Sequence, residues 1–447
     1  MAGIEQGLGA FFKGAIRIGQ TAVALGQGGW DWLTAQDAPA PKVLRQTFER
    51  LGTTYIKLGQ FIASAPSVFP PEYVTEFQKC LDKTDPIPFN QIERVIRQEL
   101  GKDPYEVFKS IDPTPLASAS IAQVHSAELK DGRDVVIKVQ KPGVDDIILT
   151  DLNFLFLWAQ VLEWLAPDFS RTSLKHIVQD MQKIMMEECD FIHESRNIQE
   201  FDKFLQKTGN ERVIVPKVHS KYTTARLLTM DRLYGVPLTD LESIRKYSQD
   251  PEETLILALN TWFMSLMACD FFHADVHAGN LMVLEDGRIA FIDFGIVGRI
   301  SKKTWGGIQG LMESMETRNF DDMANSLIDI GATDGPVDRK TFAADLKKVF
   351  TGMENLERMA RKNEEVEEQE INRLLIDIAE AGQKNGIRFP REFALLIKQF
   401  LYFDRYIRIL APELRMFEDQ RIVRSQQELP GLPEAARPGK GKGRKKK

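Results

Sequence analysis

The sequence predicts an α+β protein of two unequal lobes, a small mixed lobe followed by a larger helical one. Three observations carry this. Strand-like runs over 121–129 and 134–140 are separated by Asp131-Gly132, a strong hairpin turn signal. From Pro251 onward nearly everything has helical spacing. Inside that helical region a pair of short apolar runs, 281–284 and 289–292, flanks the turn Glu285-Asp286-Gly287 and reads as a second hairpin.

The bulk numbers set limits. A chain of 447 residues is long enough for two or three domains, and 43% hydrophobic with 27% charged residues is ordinary for a soluble globular protein. Cys80, Cys189 and Cys269 are too few and too scattered for a disulfide framework and match no zinc spacing, which favours a reducing compartment. The net charge is −6, yet seven positive charges fall in residues 437–447 and leave −13 on the rest. A basic tail on an acidic body is a tether pattern and excludes a basic nucleic-acid-binding fold. No secretory signal is visible.

Taken in order, residues 1–34 place Ile4, Leu8, Phe11, Phe12, Ala15 and Ile16 at helical spacing among several glycines. They read either as an interfacial helix on a membrane or as a helix packed on its own domain. Residues 35–41 are a linker. A single helix is expected over 43–65, with Phe48, Leu51, Tyr55, Leu58 and Ile62 as its stripe. Residues 82–88 (DKTDPIP) break the chain, and 89–101 form a short helix ending at Gly101. Long helices follow the first hairpin through about 189–204. Residues 213–218 and 225–230 are strand-like, with a break at Gly235-Val236-Pro237. The apolar stretches 154–165 and 255–272 read as buried helices. The first is too short to span a bilayer, and the second contains Asn260, Thr261, Ser265 and Asp270. There is no internal repeat. The expected domains are 1–41, 42–107, 108–235, 236–425 and a disordered basic tail, 426–447.

Four residues carry the chemistry. Lys138 sits in Val135-Val-Ile-Lys-Val, where burying an ammonium on a central strand requires partners. The alternative is a solvent-facing lysine on an edge strand. Asp275 and Asn280 have the interval of a kinase catalytic loop, and Asp293-Phe-Gly295 follows. In that arrangement Asp275 orients or deprotonates an acceptor, while Asn280 and Asp293 ligate Mg2+ on ATP or ADP. A hairpin between them would bring the two ligands together. Glu188 is the first choice to orient Lys138 and Glu194 the second, from the acidic helical cluster 187–194. His273 and His277 suggest a metal site instead, but no third ligand is identifiable. The usual glycine-rich loop is missing. In its place stand Ala117, Ser118, Ala119, Ser120, Ile121 and Ala122, whose side chains would hold the backbone further from phosphates than glycine does.

These residues resemble the UbiB/AarF, or activity-of-bc-complex, family of atypical protein-kinase-like proteins over roughly 43–410. Lys57-Leu-Gly-Gln60 resembles its Lys-x-Gly-Gln motif, 117–122 its alanine-rich loop, and 273–280 its His-Ala-Asp-Pro-His-Pro-Gly-Asn run. Val276 and Ala278 replace the two prolines, which should loosen that loop.

The resemblance implies a bilobal protein-kinase-like fold with a helical Lys-x-Gly-Gln extension. It implies that Lys57 and Gln60 enter the active site and block peptides, and that a hinge including Met230 and Asp231 contacts adenine. It also implies ATP-dependent kinase or ATPase activity in isoprenoid quinone or prenyl-lipid metabolism. The expected partners are a lipid or quinone-precursor molecule, prenyl-lipid biosynthesis proteins and, peripherally, a membrane, from the cytoplasm. The rivals are a small-molecule phosphotransferase and a pseudokinase scaffold that handles lipid.

Overall fold

The computed structural model describes residues 40–63, 69, 71–77, 79–80, 84–165, 174–238, 240–248, 250–269, 271–277, 279–333, 335–360, 377–378, 380–414, 416, 419 and 421–422. The expected N-terminal apolar stripe and the basic tail lie outside these. Among the described residues the first elements are α1 (Ala40–Leu51), α2 (Thr53–Ala63), α3 (Pro71–Phe77) and α4 (Phe89–Leu100). Strands β1 (Phe108–Ile111), β2 (Ala117–Ser118), β3 (Ala122–Leu129) and β4 (Asp134–Gln140) follow, then α5 (Val144–Leu165), α6 (Leu174–Glu188) and α7 (Phe191–Thr208). Next come β5 (Val213–Ile214), β6 (Leu227–Asp231), β7 (Gly235–Pro237), α8 (Leu241–Tyr247), α9 (Pro251–Ala268), β8 (Phe272–His273), β9 (Leu281–Leu284), β10 (Ile289–Phe291) and β11 (Val297–Gly298). The last elements are α10 (Lys302–Thr317), α11 (Phe320–Ile330), β12 (Ala332–Thr333), α12 (Arg339–Ala360), β13 (Ile387–Arg388) and α13 (Arg391–Leu410).

Two units result. The first comprises Met1–Ser195, Val218–Arg232 and Ala332–Ala394, the second Arg196–Lys217, Leu233–Gly331 and Leu395–Lys447. The first unit is built on an antiparallel sheet in the order β1-β3-β4-β6, with β2 paired to β3. On β4 the side chains alternate: Val135, Ile137 and Val139 are fully buried, whereas Val136 and Lys138 are half-buried on the opposite face. Helix α4 covers the apolar face. Its Ile92, Val95 and Ile96, spaced to share one helix face, join Phe108, Leu129, Val135, Ile137 and Leu227 in one core. Gly101 stops α4 in the left-handed region at φ 64°, where glycine has no Cβ penalty.

The helix expected over 43–65 is two helices. Gly52, at φ +89°, separates α1 from α2, and the chain is already helical at Ala40 and Pro41. The stripe itself is right: Phe48, Leu51, Tyr55, Leu58 and Ile62 are all buried.

The second unit has a sheet in the order β5-β10-β9-β7, with β5 parallel to β10 and the rest antiparallel. The expected break at 235–237 is strand β7, which pairs with β9. At Gly235 a Cβ would collide with the Val283 carbonyl oxygen, so glycine is there for close approach between strands. Helix α9 buries Leu255, Leu259, Trp262 and Phe263, as expected of an apolar core helix. Leu157 on α5, by contrast, is 60% exposed, so the stretch 154–165 is not wholly buried. No helix among the described residues is long and apolar enough to cross a membrane.

Candidate functional site

In the first unit the site begins at Lys138. Strand β4 lies between β3 and β6, which disposes of the edge-strand alternative. The Lys138 ammonium donates to both carboxylate oxygens of Glu194, at 3.0 and 2.9 Å, and lies 5.5 Å from the Phe191 ring centre. Glu194 is 4% exposed, so this is a sequestered pair whose members depend on each other.

Glu188 is therefore not the partner of Lys138. It holds Lys57 instead, at 3.0 Å. The cause is a break in the acidic cluster. α6 ends at Glu188, Asp190 accepts the Ile192 N–H at 2.9 Å, and α7 starts afresh at Phe191. Glu194, the second choice, takes the place beside Lys138. Gln60 is half-buried one turn beyond Lys57 on α2. Burial pushes the intervening Cys189 thiol up to about 12, which keeps it protonated and inert.

The alanine-rich loop is the tip of the β2-β3 hairpin, closed by Ala119 N–H donating to the Ala122 oxygen at 2.8 Å. Three successive carbonyls of this loop are taken by two upstream threonines. Thr84 donates its N–H to the Ser118 oxygen (3.2 Å) and its hydroxyl to the Ala119 oxygen (2.8 Å). The Thr53 hydroxyl donates to the Ser120 oxygen at 3.1 Å. Lys141 in turn donates to Thr84 Oγ1 at 2.7 Å. Ser120, Ile121 and Ala122 are buried, Ser118 and Ala119 half-buried and Ala117 exposed. On β6, Met230 is buried, and Asp231 accepts from His219 Nε2 at 2.6 Å.

In the second unit the expected hairpin is β9-β10. Ile292 N–H donates to the Asn280 oxygen at 3.0 Å, so Asn280 and Asp293 both belong to its open end. Asn280 commits its amide nitrogen to Asp275, at 3.0 Å to the backbone oxygen and 3.3 Å to Oδ2. That orients its Oδ1 as an acceptor. Asp293 adopts φ +59°, a conformation strained for a non-glycine residue, and accepts the Gly295 N–H at 3.2 Å. One carboxylate and one amide oxygen are a suitable protein contribution to Mg2+, which completes its shell with phosphates and water.

His273 is fully buried with both ring nitrogens engaged. Nδ1 accepts the Asp275 N–H at 3.1 Å, so Nε2 carries the proton it donates to the Ile292 oxygen at 3.0 Å. Burial holds its pKa below the usual histidine value. With no lone pair left, it is unavailable to a His273–His277 metal site.

The sequence model of the ABC1 atypical kinase-like domain matches residues 79–327. The chain belongs to this family. An uncharacterised aarF-domain-containing protein kinase of Arabidopsis thaliana, described as chloroplastic, is 51% identical over 86% of this chain and 74% of its own length. A probable protein kinase UbiB of Azotobacter vinelandii is 28% identical over 87% of this chain and 72% of its own. Among solved structures, Rv3197 of Mycobacterium tuberculosis, in complex with erythromycin, is 21% identical with a TM-score of 0.48. That match covers 69% of this chain and 82% of Rv3197. As an ABC1 protein the chain has a kinase-like α+β fold, and its recognition as a UbiB/AarF relative stands.

Sequence reasoning about this ABC1 chain missed what holds the loop 273–280. Helix α13 does. Gln399 accepts the Val276 N–H (2.9 Å) and donates to the Ala274 oxygen (2.8 Å), and the Tyr406 hydroxyl donates to the Val276 oxygen (2.6 Å). These three bonds tether the Val276 side of the loop that the missing prolines were expected to loosen. A proline there would lack the N–H that binds Gln399. Ala278 lies outside the described residues. Lys398, also on α13, places its ammonium 3.6 Å from Asp275 Oδ1. The only sequence signal for these residues was a buried-type Gln amid an apolar helical stripe.

Proposed function

We propose that this ABC1 protein binds Mg-ATP and transfers or hydrolyses its γ-phosphoryl group, acting in isoprenoid quinone or prenyl-lipid metabolism at a membrane surface. The observation that carries this is the pairing of Asn280 and Asp293 at one end of a hairpin, with Asp275 hydrogen-bonded to Asn280. Lys138, held by Glu194, binds the α- and β-phosphates. The loop 117–122 covers the nucleotide, and the backbone at Met230 and Asp231 reads adenine. Bound Mg2+ would neutralise charge on the phosphates, with Asn280 and Asp293 as its protein ligands. Asp275 orients the attacking hydroxyl or water and accepts its proton. Lys57 and Gln60 limit access by peptides. Positioning and charge stabilisation do most of the work in phosphoryl transfer, so these few side chains are sufficient.

The lipid side of the proposal rests on the family and on the charge pattern. Seven cationic residues in 437–447 suit an anionic surface, each worth about 1 kcal/mol near such a membrane. ATP turnover measured with and without Mg2+, anionic liposomes and a prenylphenol mimic tests the whole reading. Mg2+-dependent turnover, raised by liposomes and strongly reduced but still measurable in Asp275→Asn, is expected. No nucleotide-dependent thermal stabilisation and no turnover in any condition would reject it. Turnover stimulated by amino alcohols or sugars instead would favour a small-molecule phosphotransferase.

A further inference from the structure

The loop 273–280 contains two histidines but no lysine or arginine. Its permanent cation comes from Lys398, 123 residues after Asp275. The placement is built. Gln399, the next residue, bonds to both neighbours of Asp275, through the Ala274 oxygen and the Val276 N–H. Tyr406, two turns further along α13, bonds to the Val276 oxygen. The Tyr402 ring carries the Lys398 ammonium 5.5 Å from its centre. One helix therefore fixes the backbone on both sides of Asp275 and sets a cation on its Oδ1. The other oxygen, Oδ2, faces Asn280 Nδ2 at 3.3 Å and His277 Nε2 at 3.5 Å.

From this geometry we propose that Lys398 is a positioning residue for phosphoryl transfer, acting through Asp275. The ammonium holds Oδ1 and so aims the carboxylate, and it offsets negative charge next to an acceptor approaching a polyanion. In the step served, the acceptor oxygen bonds to the γ-phosphorus while its proton passes to the Asp275 carboxylate. The bond to the β–γ bridging oxygen breaks, and its electron pair leaves on ADP. The inference rests on the proposed function, since it needs Asp275 to orient the acceptor.

The test uses the full-length protein and four variants: Lys398→Met, Lys398→Arg, Asp275→Asn and the double variant Lys398→Met/Asp275→Asn. Both ATP turnover and thermal stabilisation by Mg-ATP are read. Lys398→Met should lower kcat by about ten-fold or more while KM for ATP stays within about two-fold, because a group that acts in the transition state leaves ground-state binding alone. Lys398→Arg should recover most of the loss. In the Asp275→Asn background the lysine substitution should add less than about two-fold. Undiminished kcat in Lys398→Met, or the same loss with Asp275 already removed, overturns the inference while leaving nucleotide binding in place. If Lys398→Met does not fold, Lys398→Gln is read by the same criteria. Wild-type protein with neither turnover nor Mg-ATP stabilisation overturns the proposed function and this inference together.

Discussion

The loop 117–122 in the first unit and the loop 273–280 in the second both depart from the residues usual in their patterns. The first has alanine and serine where glycines would let the backbone turn freely. The second has Val276 where the UbiB/AarF pattern has proline. Each is held by side chains remote in sequence, but from opposite directions. The alanine-rich loop is fastened by Thr53 and Thr84, upstream of it, through its carbonyls. The loop 273–280 is fastened by Gln399 and Tyr406, more than a hundred residues downstream, through an N–H and two carbonyls. The rigidity of each loop therefore depends on an element outside the hairpins that carry the motifs. The first depends on the helical extension and the segment after it, the second on the last helix. Damage to either should be separable from damage to the motif residues.

The strand-borne Lys138 gives the reference point, since its bond to Glu194 lies within the first unit. Glu194→Ala leaves a largely buried ammonium without that partner and should cost about 3–5 kcal/mol in urea unfolding. Glu188→Ala should cost clearly less and leave Mg-ATP stabilisation intact, because Glu188 pairs with Lys57. Equal effects would restore Glu188 to the nucleotide site. Next in size is Gln399→Leu, which strands the buried Ala274 oxygen and Val276 N–H. A loss of about 2–4 kcal/mol is expected, and a change below about 1 kcal/mol would show that α13 does not hold the loop.

The alanine-rich loop should be the more forgiving. Thr84→Val removes one hydroxyl but keeps its backbone N–H bond to Ser118, so about 1 kcal/mol of stability is at stake, with a weaker Mg-ATP midpoint. Thr84→Ser should restore both. A Thr84→Val protein as disrupted as Gln399→Leu would erase the contrast between the loops.

The smallest effect is one of pH. His273 is held neutral, with its pKa below the ordinary value because burial penalises the charged ring. Its contribution is intact above about pH 6.5, where the unfolded chain is neutral too, and shrinks as pH falls, because only the unfolded state gains the proton. Stability should therefore be lower at about pH 6.0 than at about pH 7.5. Comparing urea midpoints at about pH 7.5 and 6.0 isolates it, since His273→Asn should show a shallower decline. Parallel declines would mean that His273 titrates freely.

What was legible in the sequence was local. The β3-β4 and β9-β10 hairpins, Lys138 on a central strand, and the neighbourhood of Asn280 and Asp293 all follow from alternation, turn residues and short spacings. What was not legible depended on breaks and on distance. Residues 187–194 look like one helix, and only the restart at Phe191 reverses the roles of Glu188 and Glu194. Gly235-Val236-Pro237 reads as a break because strands rarely contain glycine and proline together, yet β7 lies at the edge of its sheet, where a proline is tolerated. Lys398 carries no local signal, and Gln399 only that of an amide amid an apolar helical stripe. Their meaning exists only once α13 is folded against the loop 273–280.

The functional reading stands or falls with Asn280 and Asp293 as the protein's ligands to the metal of a bound nucleotide. Mn2+ in place of Mg2+ allows bound metal to be counted by electron paramagnetic resonance, with and without ATP. The wild-type protein should retain Mn2+ when ATP is present, and Asp293→Asn should lose it. Identical Mn2+–ATP binding by both proteins would rule that ligand pair out.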